Sequence, residues 1–470
     1  MTGSGPIFEK ASKIGPDPIA LTLVDGVRVV VPDSLQLITP YVLREQEDWF
    51  EDEFAFLREL LEPGENAIDI GANCGVYTLT IARAVGPSGH VWAFEPASDT
   101  ARLLAAGIDA NGCANVTLQQ CAISGARGTA ELALHGHSEL NALVRGSAGG
   151  SATETVRVET LDALAGTFGA RTIDFLKIDA EGEEAAIIAG AAAFFERHSP
   201  LVQYEIKAGD QIHFELVAAF AARGYRSYRL VPGLGVLVPF EADAAPDPFL
   251  LNVFCCKADR AARLAARGKL VDRPERAVAR PEHDWRESIA GAPYGRQLAA
   301  SWQRTVDAGR SGDVEAALAL HAMRRDGAYS AAQRFGALQE SFRLLRALCE
   351  DEPDYLRLAS LARVAGEYGA RAVAVRALND LYGSIARSQS ADVSEPFLPP
   401  LARFDGLDPA GAIGKWVLGA VLEAMEKLAA YSSFYTGAGA RERLQTIARL
   451  GFGSPEMQRR LALVNARFPV

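Results

Sequence analysis

The sequence predicts an α/β unit built on a mostly parallel sheet, followed by an all-α unit of helical hairpins, with the change near residue 258. Three observations predict it. Up to that point short β-branched runs alternate with alanine-rich runs of helical period, the pattern of a sheet covered by helices on both faces. Beyond it strand-like runs vanish and almost every segment has helical period. The chain of 470 residues is also too long for one ordinary core, since domains average about 150 residues. The expected units are therefore 1–258 and 259–470.

The first unit opens on a hairpin, in which residues 21–24 and 27–31 flank Asp25-Gly26, a dipeptide suited to a tight I′ turn. A helix is expected over 47–61, closed by Pro63-Gly64. Strands are expected at 67–70, 90–94, 116–124, 173–178 and 201–206, with helices at 76–85, 100–111 and 183–196 among them. A helix near 214–222 and two further strands, 225–231 and 250–257, would finish the sheet as a closing hairpin. In the second unit, 312–318 and 361–365 have helical period, and clear breaks fall at 351–354 and 396–400. This pattern fits stacked, repeat-like helical hairpins, although no fixed period is visible.

Composition is globular, with 49% apolar and 23% charged residues. A net charge of -11 argues against a dedicated nucleic-acid surface, without excluding a local basic patch. The six cysteines form no CxxC pair and no paired His/Cys spacing, so no metal site is expected. Cys255 and Cys256 lie in an apolar run and read as a buried strand, and a reducing, cytoplasmic setting fits such cysteine usage. The first residues lack the apolar stretch of a secretory signal, and no run of about 18 apolar residues occurs, so no membrane span is expected.

The chemistry is concentrated in four places. The first is Asp69-Ile70-Gly71-Ala72-Asn73-Cys74-Gly75, between a buried-strand pattern and a helical one. Gly71 and Gly75 allow a tight turn and close approach of a ligand. The spacing GxNxG is neither a dinucleotide fingerprint nor a phosphate-binding P-loop. It suits a nucleoside with a short charged tail, and equally an ordinary strand-to-helix turn. The second is Glu95, about 20 residues past that turn at the end of the next strand, placed either to hold ribose hydroxyls or as a solvated carboxylate. The third is Lys177-Ile178-Asp179-Ala180-Glu181-Gly182-Glu183-Glu184. Asp179 and Glu181 precede the helix and could reach the crevice, whereas Glu183 and Glu184 are explained by the helix dipole. The fourth is Glu205, which closes another strand on the same edge and reads equally as a solvated carboxylate. His135, His137 and Glu139 lie in a Ser/Gly/Ala-rich loop running to Gly150, where solvated histidines or a cover over the acceptor pocket are expected.

With these strings in order, residues from about Gly26 to Lys257 resemble the FkbM-type family of S-adenosylmethionine (SAM)-dependent methyltransferases. The matching strings are Tyr41-Val42 with Trp49 and Glu53, DIGANCGVYT, FEP, Asn115-Val116-Thr117-Leu118, Cys121-Ala122-Ile123-Ser124 and FLKIDAEGEE. The resemblance implies a class I methyltransferase (Rossmann-like) sheet, SAM as donor and a hydroxyl acceptor on a glycan or small molecule. Carried over by position, it implies that Asp69, Gly71, Asn73, Gly75 and Thr78 line the methionine end of SAM, Glu95 the ribose and Ala122 the adenine. The second unit lies outside it.

Methyl transfer to a hydroxyl asks for a base, and Asp179, Glu181 and Glu205 are the carboxylates on the right edge, the first two favoured. Two other readings stand beside this one. The chain could be a binding or scaffold protein working through its helical half, with a protein partner there. It could also methylate a protein or RNA.

Overall fold

The structure is a computed structural model. It describes residues 17–469 apart from 136–137, 139–140, 145–151, 209–210, 242–244, 277, 310–311 and 352–354. Its centre is an eight-stranded sheet. Five strands run parallel in the spatial order Val116–Gln119, His90–Phe94, Asn66–Ile70, Phe175–Ile178 and Leu201–Glu205. Asn252–Cys256 then pairs antiparallel with Leu201–Glu205, Arg226–Val231 follows it, and Val236–Pro239 forms the edge. This last strand was not expected; it ends on Pro239, tolerable only at an edge where a missing N–H breaks no ladder.

Both faces of the parallel strands are apolar, which is why they read as continuous hydrophobic runs. Ala67, Val91, Phe175 and Leu201 point into one core, and Ile68, Trp92, Leu176 and Val202 into the other. The helix Val76–Val85 covers the first face, and its C-terminal carbonyls are held by Asn115, whose Nδ2 donates to Ala82 at 2.9 Å and Gly86 at 2.8 Å. From Asn66–Ile70 the chain builds outward to one edge, then returns through Phe175–Ile178 to the other side. Such a reversal leaves a crevice at the carboxyl ends of those two central strands.

Several expected elements differ. The hairpin pairs Pro18–Thr22 with Arg28–Pro32, but its turn is not I′. Only Gly26 takes a positive φ, 84°, and its N–H bonds to Leu23 at 2.8 Å, a type I turn closed by a glycine bulge. The helix expected over 47–61 begins later, as Asp52–Leu60, and an unexpected helix, Ile38–Gln46, precedes it and ends where Glu47 turns left-handed at φ 57°. The strand expected over 116–124 also divides. Val116–Gln119 stays in the large sheet, whereas Ala122–Ile123 joins a small sheet with Gly128–Leu134, Ala142–Leu143 and Ala152–Glu159. The expected helix over 183–196 breaks at Gly190, where an added Cβ would come within 2.8 Å of the Gly125 backbone.

After Asn252–Cys256 every regular helix or strand is helical, apart from a single bridge of Leu270 to Leu237. Gly312–Met323, Ala331–Asp351, Tyr355–Tyr368 and Arg371–Ser388 pack each on the next. An aromatic knot of Tyr294, Trp302, Phe397 and Trp416 anchors the far end, with Tyr294 stacked on Trp416 at 5.0 Å. The two textures share their cores. Leu264 and Leu270 belong to the sheet's core, while Val231, Val236 and Val238 from the sheet's edge strands belong to the helical one. Among the described residues no helix is long and apolar enough to cross a membrane.

Candidate functional site

The crevice is built by two turns pressed against each other. After Asn66–Ile70 the chain turns at Gly71, φ 78°, where a Cβ would stand 1.7 Å from the Asp179 carbonyl oxygen. Gly71 is thus required by the neighbouring turn, and the close approach is between two segments of backbone. The N–H groups of Gly71 and Ala72 both bond to the Phe94 carbonyl at 3.0 Å. Gly75, φ 88°, starts the helix Val76–Val85, and a Cβ there would meet Leu104 at 2.3 Å.

Glu95 is 6% exposed and turned inward, accepting the Asn73 N–H at 2.9 Å and the Ala97 N–H at 2.9 Å. Burial pushes its carboxyl up to about 7 against those two bonds. Asn73 is left-handed at φ 48°, and its Oδ1 accepts the Cys74 N–H at 2.7 Å and the Ser138 hydroxyl at 3.1 Å. Ser138 thus reaches the glycine turn, whereas His137 and Glu139 beside it lie outside the described residues.

These residues line one end of a cavity of about 260 Å³. Gly71, Asn73, Glu95 and Ala122 stand at that end, and Asp179, Glu181 and Glu205 line the same cavity. Asp69, Gly75 and Thr78 are not in its wall. Asp69 and Thr78 are fully buried behind it, with the Thr78 hydroxyl donating to Asp69 at 2.6 Å, so they brace the turn from the core side.

The acidic end has its own supports. Asp179 continues the strand Phe175–Ile178 and accepts from Lys177 Nζ at 2.7 Å. Lys177 is 3% exposed and lies over the Tyr77 ring at 4.7 Å. Burial pulls its ammonium down, but Asp179 and Asp69 together hold it above its ordinary value. Glu181 is left-handed at φ 48° in the turn that follows. Glu184, the first residue of the following helix, ties this turn down by accepting the N–H groups of Ala180 at 2.9 Å and Gly182 at 3.0 Å. Glu183 accepts the Ser124 hydroxyl at 2.5 Å.

Asp179, Glu181 and Glu205 bring carboxylate oxygens within 4.8 Å of one another, a spacing also compatible with a shared cation and invisible to a search for paired His and Cys. Burial first, then the charges of Asp179 and Glu181, push Glu205 up to about 9, so it holds a proton at neutral pH.

Sequence reasoning missed further members of this wall. Glu51 sits between the helices Ile38–Gln46 and Asp52–Leu60 and lines the cavity. It accepts from Trp49 Nε1 at 3.1 Å, Asn252 Nδ2 at 3.0 Å and the Tyr77 hydroxyl. Burial pushes its carboxyl up. Its only sequence signal was an acid set directly after Trp49-Phe50, in a stretch read as continuous helix. Thr39, Phe50 and Tyr435 also reach the wall, the last from 177 positions beyond the texture change at 258.

A doubly wound sheet with a glycine turn and a following acid at its switch point defines a class I, Rossmann-like methyltransferase fold, here followed by a helical half. Residues 69–227 match the family model described as the methyltransferase FkbM domain. No curated protein matches the chain. Among solved structures it is similar to methyltransferase FkbM from Methylobacillus flagellatus, at 16% identity over 41% of this chain and 43% of that one, with a TM-score of 0.28. The match thus spans less than half of that relative. It is also similar to a SAM-dependent O-methyltransferase from Thermotoga maritima, at 15% identity over 51% of this chain and 77% of that one, TM-score 0.26. A third is a Streptococcus mutans methyltransferase in complex with SAH, at 11% identity over 44% and 95% of the two chains, TM-score 0.26.

Proposed function

We propose that this chain is a SAM-dependent methyltransferase that transfers a methyl group to a hydroxyl of a glycan or small molecule. The observation that carries the reading is that the glycine turn with Glu95 and the carboxylates Asp179, Glu181 and Glu205 line one continuous cavity. The residues at the donor end fit SAM. Glu95 is a carboxylate at ribose position, Ala122 and Ile123 offer an apolar wall for a base, and the acidic crevice favours a cationic ligand. Bound SAM supplies an electrophilic methyl group on a positively charged sulfur.

The remaining work falls to this chain. Glu95 and the turn at Asn73 hold the nucleoside. Asp179 and Glu181 stand where an acceptor hydroxyl would enter, and either can accept its proton as it becomes a nucleophile. Lys177 fixes the Asp179 carboxylate through its 2.7 Å contact. Glu205, protonated at neutral pH, orients the acceptor as a hydrogen-bond donor there and becomes a base only in alkaline solution. Trp49, Phe50 and Glu51 line the same cavity.

An RNA acceptor is disfavoured, because three clustered carboxylates repel a phosphate backbone. A scaffold role leaves the cavity unexplained. In this proposal 1–258 and 259–470 are two parts of one folding unit, because Leu264 and Leu270 pack into the sheet's core and Val231, Val236 and Val238 into the helical one. The test is a pair of variants, Asp179→Asn and Glu181→Gln, assayed with labelled SAM against fractionated cell extract. The variant that removes the base should lose about two to four orders of magnitude in turnover, with SAM affinity changed much less. Near-normal turnover in both would reject a carboxylate base at this turn.

A further inference from the structure

Among the described residues, the helical half reaches the cavity at one point. Tyr435, 54% exposed, lines it beside Ile38, Thr39 and Phe50. An exposed tyrosine on a surface segment is ordinary, but this one is delivered by an unusually firm fastening.

Glu45, on the helix Ile38–Gln46, is fully buried. Its carboxylate accepts the Ser433 N–H at 3.1 Å, the Ser433 hydroxyl at 2.6 Å and the Ser432 hydroxyl at 3.0 Å. It also pairs with Arg460 at 3.1 Å, itself 1% exposed. Tyr41 shares a 2.9 Å bond with the Ser433 hydroxyl, and Gln46 Nε2 donates to the Tyr431 carbonyl at 2.7 Å. The Phe434 ring lies under Arg467 at 3.9 Å and meets Tyr41 edge to face at 5.4 Å. Segment 431–434 is therefore bound on several sides to the very helix whose first residues, Ile38 and Thr39, form the cavity wall. Buried charge of this kind gives little net stability but fixes geometry. Here the geometry it fixes is the position of the next side chain, Tyr435.

We propose that Tyr435 is a specificity-determining residue of the acceptor site, contributed by the helical half, and that it stacks on a neutral, hydroxyl-bearing ring such as a pyranoside. This rests on the methyltransferase reading above. The chemistry of the surroundings selects the ligand. Tyr435, Phe50 and Trp49 line the cavity, the last two packed on each other at 4.7 Å, and aromatic side chains of this kind suit the C–H side of a ring. Glu51, Asp179 and Glu181 accept hydrogen bonds from hydroxyls and repel anions. A phosphorylated ring would meet clustered carboxylates and is excluded.

The test uses the full chain loaded with S-adenosylhomocysteine, whose affinity is measured by calorimetry. Saturation-transfer NMR then reads binding of methyl α-D-glucopyranoside and methyl α-L-rhamnopyranoside, with glucose 6-phosphate as the anionic comparison. At least one neutral glycoside should show ring C–H saturation that falls about fivefold or more in Tyr435→Ala, the scale of one lost aromatic contact. Tyr435→Phe keeps the ring and should retain most of the signal. Melting curves check that Tyr435→Ala is folded, as an exposed position predicts. Equal signal in the wild type and Tyr435→Ala would overturn the role of Tyr435. No signal from either glycoside, with the nucleoside bound, would overturn the ligand class, as would glucose 6-phosphate binding at least as strongly. Failure of S-adenosylhomocysteine to bind the wild type would instead overturn the methyltransferase reading beneath it.

Discussion

The crevice of the sheet half and the core of the helical half handle buried charge in opposite ways. In the sheet half, Asp179, Glu181 and Glu205 crowd together, with the Lys177 ammonium on Asp179, and Glu205 answers by keeping its proton. In the helical half, buried acids are matched by arginine. Glu367 sits against Arg324, Arg363 and His321, which hold its carboxyl well below the usual range despite its burial. Arg460 serves Glu426 and Glu456 there and reaches across to Glu45 of the sheet half. The difference separates a site from a scaffold. Unresolved charge persists where a ligand or a proton is to be received, and compensated charge fixes one packing arrangement.

The contrast can be broken at its largest joint. A fragment of residues 1–258 loses the helical partners of Val231, Val236 and Val238 and the core residues Leu264 and Leu270. Each fully buried Val or Leu is worth about 1.5–3 kcal/mol, so together they rival the stability of a whole domain. The fragment should show no cooperative melt by circular dichroism. A sharp transition with nucleoside binding would mean that the two halves fold separately.

Glu45→Ala strikes the compensated side. It removes the acceptor for Ser432 and Ser433 and one partner of a buried arginine. About 3–5 kcal/mol of stability should be lost in urea unfolding. A loss under about 1 kcal/mol would mean that Glu426 and Glu456 suffice for Arg460.

Glu95→Gln acts at the donor end, where it removes charge-assisted hydrogen bonds worth about 1.5–3 kcal/mol and should weaken SAM by roughly tenfold or more. A change under about twofold by calorimetry would make Glu95 a brace for Asn73 and Ala97 alone. This variant is a cleaner probe than Gly71→Val, whose added Cβ would collide with the Asp179 backbone and disturb both turns together.

The last effect concerns pH. Glu205 has its folded value raised from 4.5 to about 9, so the folded state binds its proton more tightly than the unfolded one. That contribution is fully present below the unfolded value and is lost as pH rises toward about 9. Glu205→Gln cannot titrate there. Its melting temperature should match the wild type near pH 5 and gain on it steadily toward pH 9. Parallel curves across that window would mean that Glu205 is ionised throughout.

Much of the sheet was legible because it depends on local pattern. His90–Phe94 and Val76–Val85 fall where buried runs and helical period place them, and the other central strands agree within a residue or two. The breaks were harder. Glu47 ends a helix by taking a left-handed conformation, and Gly190 ends one because Gly125 lies against it, a contact between residues far apart in sequence. The small sheet was hidden because Ala122–Ile123 pairs with a strand some 30 positions later, through a stretch that reads as loop.

By itself, then, the sequence determined the alternation of strands and helices, the turn at Gly71, the acid at Glu95 and the acids at Asp179, Glu181 and Glu205. These follow from periodicity and from residue types at strand ends, which are local quantities. Tertiary structure decided which of them face a cavity. Asp69 and Thr78 turned to the core, because one strand residue's rotation sets whether it faces ligand or packing. It decided that Glu51 joins the acids, since only the fold brings Tyr77 and Asn252 to it. It also brought Tyr435 to the mouth of the site, through a buried pairing of Glu45 with Arg460 across 415 positions of chain. A contact of that separation leaves no periodicity and no spacing to read, because its energy comes from packing and desolvation that exist only once the chain has folded.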